Sequence, residues 1–122
     1  MIQIQQVEAM LRKTYWAQDR REDVIRKSID NSLVYGVYHK NDQVGFARVL
    51  TDYATTFYIC DVVIEETHRG IGLGKKLIKT IVEDEQVINL LGILATNDAH
   101  ALYQQYGFIS SGDRFMYKTR RA

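Results

Sequence analysis

The apolar positions of this chain switch between strand and helix spacing six times. Ile2 and Ile4 alternate with glutamines, the period of a short edge strand. From Val7 onward Val7, Met10, Leu11 and Tyr15 recur at helical spacing, predicting a helix to about Ala17. Val24, Ile25, Ser28 and Ile29 mark the stripe of a second helix over about 21–29, ended by Asn31 and Ser32. The pattern then becomes extended. A strand over 33–39, a polar turn at Lys40-Asn41-Asp42-Gln43 and a return strand over 44–50 form a hairpin. Residues 55–64 read as a long strand rich in aromatic and β-branched side chains. Helical spacing returns over 72–85, with Leu77, Ile78, Ile81 and Val82 as the buried stripe. The apolar run at 88–94 predicts a buried strand within 87–95. A short helix follows over 98–106, with Asp98 as its cap and Gly107 as its stop. Phe115 to Thr119 reads as a last strand.

The order β-α-α-β-β-β-α-β-α-β predicts an α/β (α+β) fold, a mixed and mostly antiparallel central sheet flanked by helices. With 122 residues, no proline, no linker and no repeat, residues 1–122 are expected to form one domain. Sixteen basic residues against fifteen acidic ones leave a net charge of +1, a poor match for a nucleic-acid binder. Lys118, Arg120 and Arg121 form a short basic tail, read as a solvated terminus. The single cysteine, Cys60, excludes an internal disulfide and a cysteine-rich metal site, and its apolar neighbours place it in the core. No basic start precedes an apolar run at the N-terminus, and no apolar stretch approaches the roughly 20 residues that span a bilayer. A soluble, cytoplasmic protein without membrane or nucleic-acid partners is expected.

The most informative segment lies between the long strand and the third helix. Arg69-Gly70-Ile71-Gly72-Leu73-Gly74-Lys75 sets three alternating glycines at a helix start. Glycine opens backbone torsions closed to other residues and lets a ligand approach the main chain. The first amides of a helix lack internal partners and sit at the positive end of its dipole, so a diphosphate fits there. Two familiar phosphate motifs fail. A P-loop would need glycine at Arg69 and a hydroxyl at Lys76, and the dinucleotide fingerprint would need its third glycine at Lys75.

The spacing Arg69, Gly72, Gly74 resembles the Arg/Gln-x-x-Gly-x-Gly/Ala pyrophosphate motif of the GNAT acetyltransferase superfamily. A second segment, Asp98-Ala99-His100-Ala101-Leu102-Tyr103-Gln104-Gln105-Tyr106-Gly107-Phe108, resembles that family's Ala-x-x-Leu-Tyr-x-x-x-Gly-Phe motif. Ala99, Leu102, Tyr103, Gly107 and Phe108 all match in register. The resemblance covers residues 33–108 well, and the N-terminal third by element count only.

The resemblance implies an N-acetyltransferase that moves an acetyl group from acetyl-CoA, as cosubstrate, to a primary amine by direct attack on the thioester, without a metal. Gly70, Ile71, Gly72, Leu73, Gly74 and Lys75 would hold the pyrophosphate with Arg69, and the main chain of Val62, Val63 and Ile64 would hold the pantetheine arm. Tyr103 matches the general acid that protonates the departing thiolate; a phenol with pKa of about 10 is protonated at neutral pH. Asp61 stands where some members carry an acidic base. A lone aspartate in an apolar strand is costly to bury unpaired, so a structural job is the alternative. The family often has Asn seven residues before the tyrosine; here that cofactor position is Thr96. Tyr15, Trp16 and Arg20 lie where this fold sets acceptor specificity, with Arg20 or Arg21 suited to a carboxylate. His39, His68 and His100 receive no chemical role. The acceptor, a small-molecule or peptide amine, is not named by the sequence. The alternative function is a CoA-binding sensor or regulatory module without catalysis, and the final strand could pair across a homodimer.

Overall fold

The computed structural model describes residues 1–120; Arg121 of the basic tail lies outside them. Two helices come first, α1 (Ile4–Leu11) and α2 (Glu22–Asp30). Three strands follow, β1 (Leu33–His39), β2 (Asp42–Thr51) and β3 (Thr56–Ile64). A 3-10 turn (Glu66–His68) leads into α3 (Leu73–Val82), and the chain continues through β4 (Leu91–Ile93) to α4 (His100–Gln104). The strands form one sheet in the order β1-β2-β3-β4, antiparallel except for the β3–β4 pair. This is the mixed sheet flanked by helices that the periodicity predicts.

The two ends of the chain depart from the expected element order. Ile2 and Ile4 do not start a strand: Val7, Met10 and Leu11 bury on one side of α1, and that helical period takes residues from Ile4 onward with it. A two-residue alternation is too short to compete. The N-terminus is instead tied to the β1–β2 hairpin by a reciprocal amide pair. Gln3 N donates to Gln43 Oε1 at 2.7 Å, and Gln43 N donates to Gln3 Oε1 at 3.0 Å. At the other end, no strand forms over 115–119, and Phe115, Met116 and Tyr117 are exposed. β4 is only three residues long, because the chain before it is spent in turns closed on Asp84 O by the amides of Val87 and Ile88. That short edge offers little for a further strand to pair with.

The predicted hairpin turn forms as two residues, Lys40 and Asn41, both with positive φ (48° and 75°). This is the I′ geometry that matches the twist of paired strands. Gly107 ends α4 as expected: at φ 91° it sets Phe108 N on Tyr103 O and its own N on Gln104 O, the paired bonds of a Schellman stop. Asp98 is not the cap. Thr96 Oγ1 accepts from the amides of Asp98 and Ala99 instead (3.4 and 3.1 Å).

Two apolar clusters cover the two faces of the sheet. Leu77, Ile78 and Ile81 of α3 pack with Ala47, Val49, Phe57, Ile59 and Tyr103 on one face. Val7, Met10 and Leu11 of α1 pack with Ile25, Phe46 and Val63 on the other. No helix among the described residues is long and apolar enough to cross a membrane.

Candidate active site

The site follows from a defect in β3. Phe46 pairs with Val63, but Arg48 pairs with Cys60, so one residue of β2 faces two of β3, Asp61 and Val62. This is a β-bulge, and Asp61 takes the left-handed turn it requires, at φ 51°. Aspartate tolerates that region better than most non-glycine residues. The bulge switches the parity of the strand. Phe57 and Ile59 pack on the α3 face before it, whereas Val62 and Ile64 pack there after it and Val63 joins the α1 face.

The bend also separates β3 from β4. The two pair only through Thr56–Leu91, Phe57–Gly92 and Tyr58–Ile93. Beyond Tyr58, one edge of β3 has no partner strand as far as Ile64, so Val62, Val63 and Ile64 lie on an open backbone edge. Between that edge and residues 95–99 opens a cleft of about 480 Å³. Tyr15, Trp16 and Arg20 enter it from the loop between α1 and α2, and Tyr103 from α4. The sequence therefore named residues from three distant segments that the fold brings to one cavity.

The loop between the first two helices is itself braced. Arg12 Nη1 donates to Arg20 O at 2.9 Å, and Thr14 Oγ1 donates to Leu11 O while accepting from Ala17 N. Tyr15 and Trp16 stack edge to face with centroids 4.9 Å apart.

Asp61 is the electrostatic centre of the cleft. Its Oδ1 accepts from Trp16 Nε1 at 2.9 Å, and its Oδ2 accepts from Arg20 Nη1 at 2.7 Å and Arg48 Nε at 2.9 Å. Only 3% of the side chain is exposed. Burial pushes its carboxyl up, but the hydrogen bonds and charges of Arg20 and Arg48 outweigh it and hold the pKa below the usual value. A carboxylate held that way is a weak proton acceptor. The environment therefore opposes the base role expected of Asp61 and makes it the anchor of Arg20, Arg48 and Trp16. Arg48, which the sequence reading passed over, is the residue that completes this anchor. Its only sequence signal was an arginine within an apolar strand.

Tyr103 is 8% exposed and lines the cleft. Burial, followed by the negative charge of Asp98 and the neighbouring Tyr15, pushes its pKa up to about 12. The phenol therefore keeps its proton throughout the physiological range. Thr96 lines the same cleft, but its oxygen is engaged in holding the entrance to α4. Cys60 is half-buried at the cleft wall rather than in the core, and burial raises its thiol.

At the other end of the open edge stands the glycine loop. Gly70 and Gly72 have φ of 83° and 84°, and a Cβ placed on Gly70, Gly72 or Gly74 would meet nothing within 4 Å. The first intrahelical bond of α3 is Lys76 N to Gly72 O, so the amides of Leu73, Gly74 and Lys75 have no partner within the helix. No acidic side chain occupies its first turn and none caps it. Open space in front of free amides is what a diphosphate requires, and the loop fits the group its sequence suggested. Ile71 is exposed beside this space. Arg69 is exposed but turns back along the chain: its Nε donates to Ile64 O at 2.9 Å, which fixes the loop to the end of β3. The rings of His39 and His68 meet at a tilt with centroids 5.3 Å apart. Among the described residues no cluster of His, Cys, Asp or Glu is arranged to hold a metal ion.

Comparison with known proteins agrees with this architecture. The sequence profile of the acetyltransferase (GNAT) domain matches residues 30–110. An uncharacterised N-acetyltransferase of Porphyra purpurea is 32% identical over 89 residues, covering 68% of this chain and 51% of the relative. Streptothricin acetyltransferase of Escherichia coli is 33% identical over 99 residues, 76% of this chain and 57% of that protein. The chain thus spans about half the length of the curated relatives it matches. A GNAT-family protein of known structure from Xanthomonas campestris pv. campestris superposes with a TM-score of 0.91 at 35% identity, covering 98% of this chain and 87% of that one. A Clostridium acetobutylicum structure solved with acetyl-CoA shares the fold at 14% identity, with a TM-score of 0.70 over 94% of this chain and 89% of that one. With the profile, the fold, the helix-start loop and the Tyr103 segment in agreement, this chain belongs to the GNAT acetyltransferase family.

Proposed function

We propose that the protein transfers an acetyl group from acetyl-CoA to a primary amine. The observation that carries this reading is the open edge of β3, which runs from the free amides of α3 to the cleft holding Tyr103. Leu73, Gly74 and Lys75 would receive the pyrophosphate through their amides, and Gly70 and Gly72 leave room for it. The edge of Val62 to Ile64 that faces no strand would hold the pantetheine arm as a strand holds its neighbour, beside an Ile64 O already taken by Arg69 Nε. Acetyl-CoA supplies the activated acetyl group. The amine nitrogen forms its bond to the acetyl carbon as the carbon–sulfur bond breaks, and Tyr103 gives its proton to the sulfur. The amine's own proton leaves towards solvent, because the one buried carboxylate in the cleft is committed to two arginines, and Tyr103 regains its proton from solvent. Asp61 serves the reaction by fixing Arg20, Arg48 and Trp16 at the acceptor end.

The test is a thermal-shift titration with acetyl-CoA, with adenosine and ATP as controls. A ligand at a hundredfold excess over its dissociation constant adds about 2.7 kcal/mol of stability when it binds only the folded state. Stabilisation by acetyl-CoA alone, followed by amine-dependent release of free CoA thiol, is the expected result. Saturating acetyl-CoA without any rise in melting temperature would remove the basis of the reading.

A further inference from the structure

The acceptor end of the cleft holds more positive charge than its internal pairing consumes. Arg20 and Arg48 share the single carboxylate of Asp61, and Arg48 Nη1 also donates to Ser32 Oγ at 3.3 Å. A guanidinium carries five N–H donors. Arg20 uses one of them and Arg48 two in bonds among the described residues. Their side chains are 17% and 13% exposed and line both this cleft and the neighbouring cavity beside Val24 and Ser28, so the remaining donors are accessible to a bound group. Arg120 adds a third cation to the cleft wall, where Asp98 is the only other acid. The balance is one positive charge in excess beside the aromatic pair Tyr15–Trp16.

We propose that the acceptor is a free amino acid with an apolar side chain, its carboxylate taken by the unused guanidinium edges of Arg20 and Arg48. The proposal rests on the acetyl-transfer reading of the same cleft. A planar guanidinium fork matches a carboxylate with two parallel hydrogen bonds, and such charge-assisted bonds are the strong ones. Because Asp61 holds both arginines from behind, their forks are pre-set before the acceptor arrives. A polycationic amine would meet the excess positive charge in a region of reduced dielectric, where repulsion is stronger than in water. The apolar side chain would rest against Tyr15 and Trp16. In the transfer the carboxylate is unchanged. A nitrogen–carbon bond forms as the carbon–sulfur bond breaks, and the sulfur gains the proton of Tyr103. The amine nitrogen releases a proton to solvent, from which Tyr103 regains its own.

Trp16 is the only tryptophan of the chain, and its indole N–H is bonded to Asp61, so one indole resonance reports on the cleft. The CoA-loaded protein is titrated with N-acetyl-L-phenylalanine and N-acetylglycine, each against its carboxamide, and the Trp16 indole N–H is followed by NMR. Each acid is expected to shift that signal saturably, with at least tenfold tighter binding than its amide. Arg20→Gln should abolish the difference, and Arg20→Lys, which keeps the charge without the fork, should reduce it. In turnover, L-phenylalanine should exceed both phenylalaninamide and spermidine at least tenfold in kcat/KM. Equal response to acid and amide, or no response to either in a protein that acetyl-CoA stabilises, overturns the proposal. Failure of acetyl-CoA to stabilise the protein is read separately and bears on the transfer reaction instead.

Discussion

Replacing Asp61 by asparagine separates an anchor from a base. Asparagine keeps the shape, keeps an oxygen for Trp16 Nε1 and tolerates the φ of 51°, so the backbone is not perturbed. What is lost is the charge between Arg20 and Arg48. Removing one partner of a buried ion pair costs about 3–5 kcal/mol. The two arginines retain some contact with water, which puts the expected loss near the lower end, about 3 kcal/mol. At an unfolding entropy of about 2.1 cal/mol/K per residue, a chain of 122 residues loses roughly 12 °C in melting temperature. The pH dependence has a defined sign. Asp61 has a lowered folded pKa, so its contribution is present above the unfolded carboxylate value and is lost as pH falls through the folded one. The gap between wild type and Asp61→Asn should therefore be full at pH 7 and shrink in acid. The assay is urea unfolding of both proteins across pH, paired with kcat at saturating substrates well below either melting point. The anchor predicts a large stability loss and a raised KM for the acceptor, with kcat within about tenfold of wild type. Loss of a general base would lower kcat by about 10²–10⁴. Unchanged stability together with a hundredfold fall in kcat would refute the reasoning.

Tyr103→Phe should leave acetyl-CoA affinity within about twofold while kcat falls by about 10²–10⁴, the range of a lost general acid; an unchanged kcat would show that the hydroxyl donates no proton. Because burial raises this phenol to about 12, the wild-type kcat should not fall as pH passes 10, where an ordinary tyrosine would lose its proton. Gly72→Ala puts a Cβ on a left-handed residue with nothing nearby to strike, so stability should fall by only about 1–2 kcal/mol. Its acetyl-CoA affinity, measured by calorimetry, should fall by more than tenfold, since the added methyl stands in the proposed diphosphate space. Thr96→Val removes the acceptor for the amides of Asp98 and Ala99 and should cost about 1 kcal/mol in a urea melt, as loss of a helix cap does. Its kcat should drop with little change in acetyl-CoA affinity, because the helix start that positions Tyr103 is loosened.

Most of the fold was legible where local and tertiary preferences agree. The β1–β2 hairpin, the stripe of α3 and the stop at Gly107 each follow from short-range patterns that packing then uses. The ends were misread because a pattern of two or five residues says nothing about whether a partner exists. Ile2 and Ile4 were claimed by the helix that buries Val7 and Leu11, and residues 115–119 found only a three-residue strand at the sheet edge.

The candidate site divides in the same way. The glycine loop and the Tyr103 segment were readable from sequence, since torsional freedom and helix-start chemistry are properties of a few consecutive residues. The roles of Asp61 and Arg48 were not. Thirteen positions apart in sequence, they meet because a bulge turns one strand by a single residue, and Arg20 arrives from a loop 41 positions from Asp61. Whether a carboxylate is a base or an anchor depends on which charges surround it. Those neighbours were supplied by the tertiary structure, whereas the chain alone determined that a glycine-rich helix start with free amides would follow a long strand.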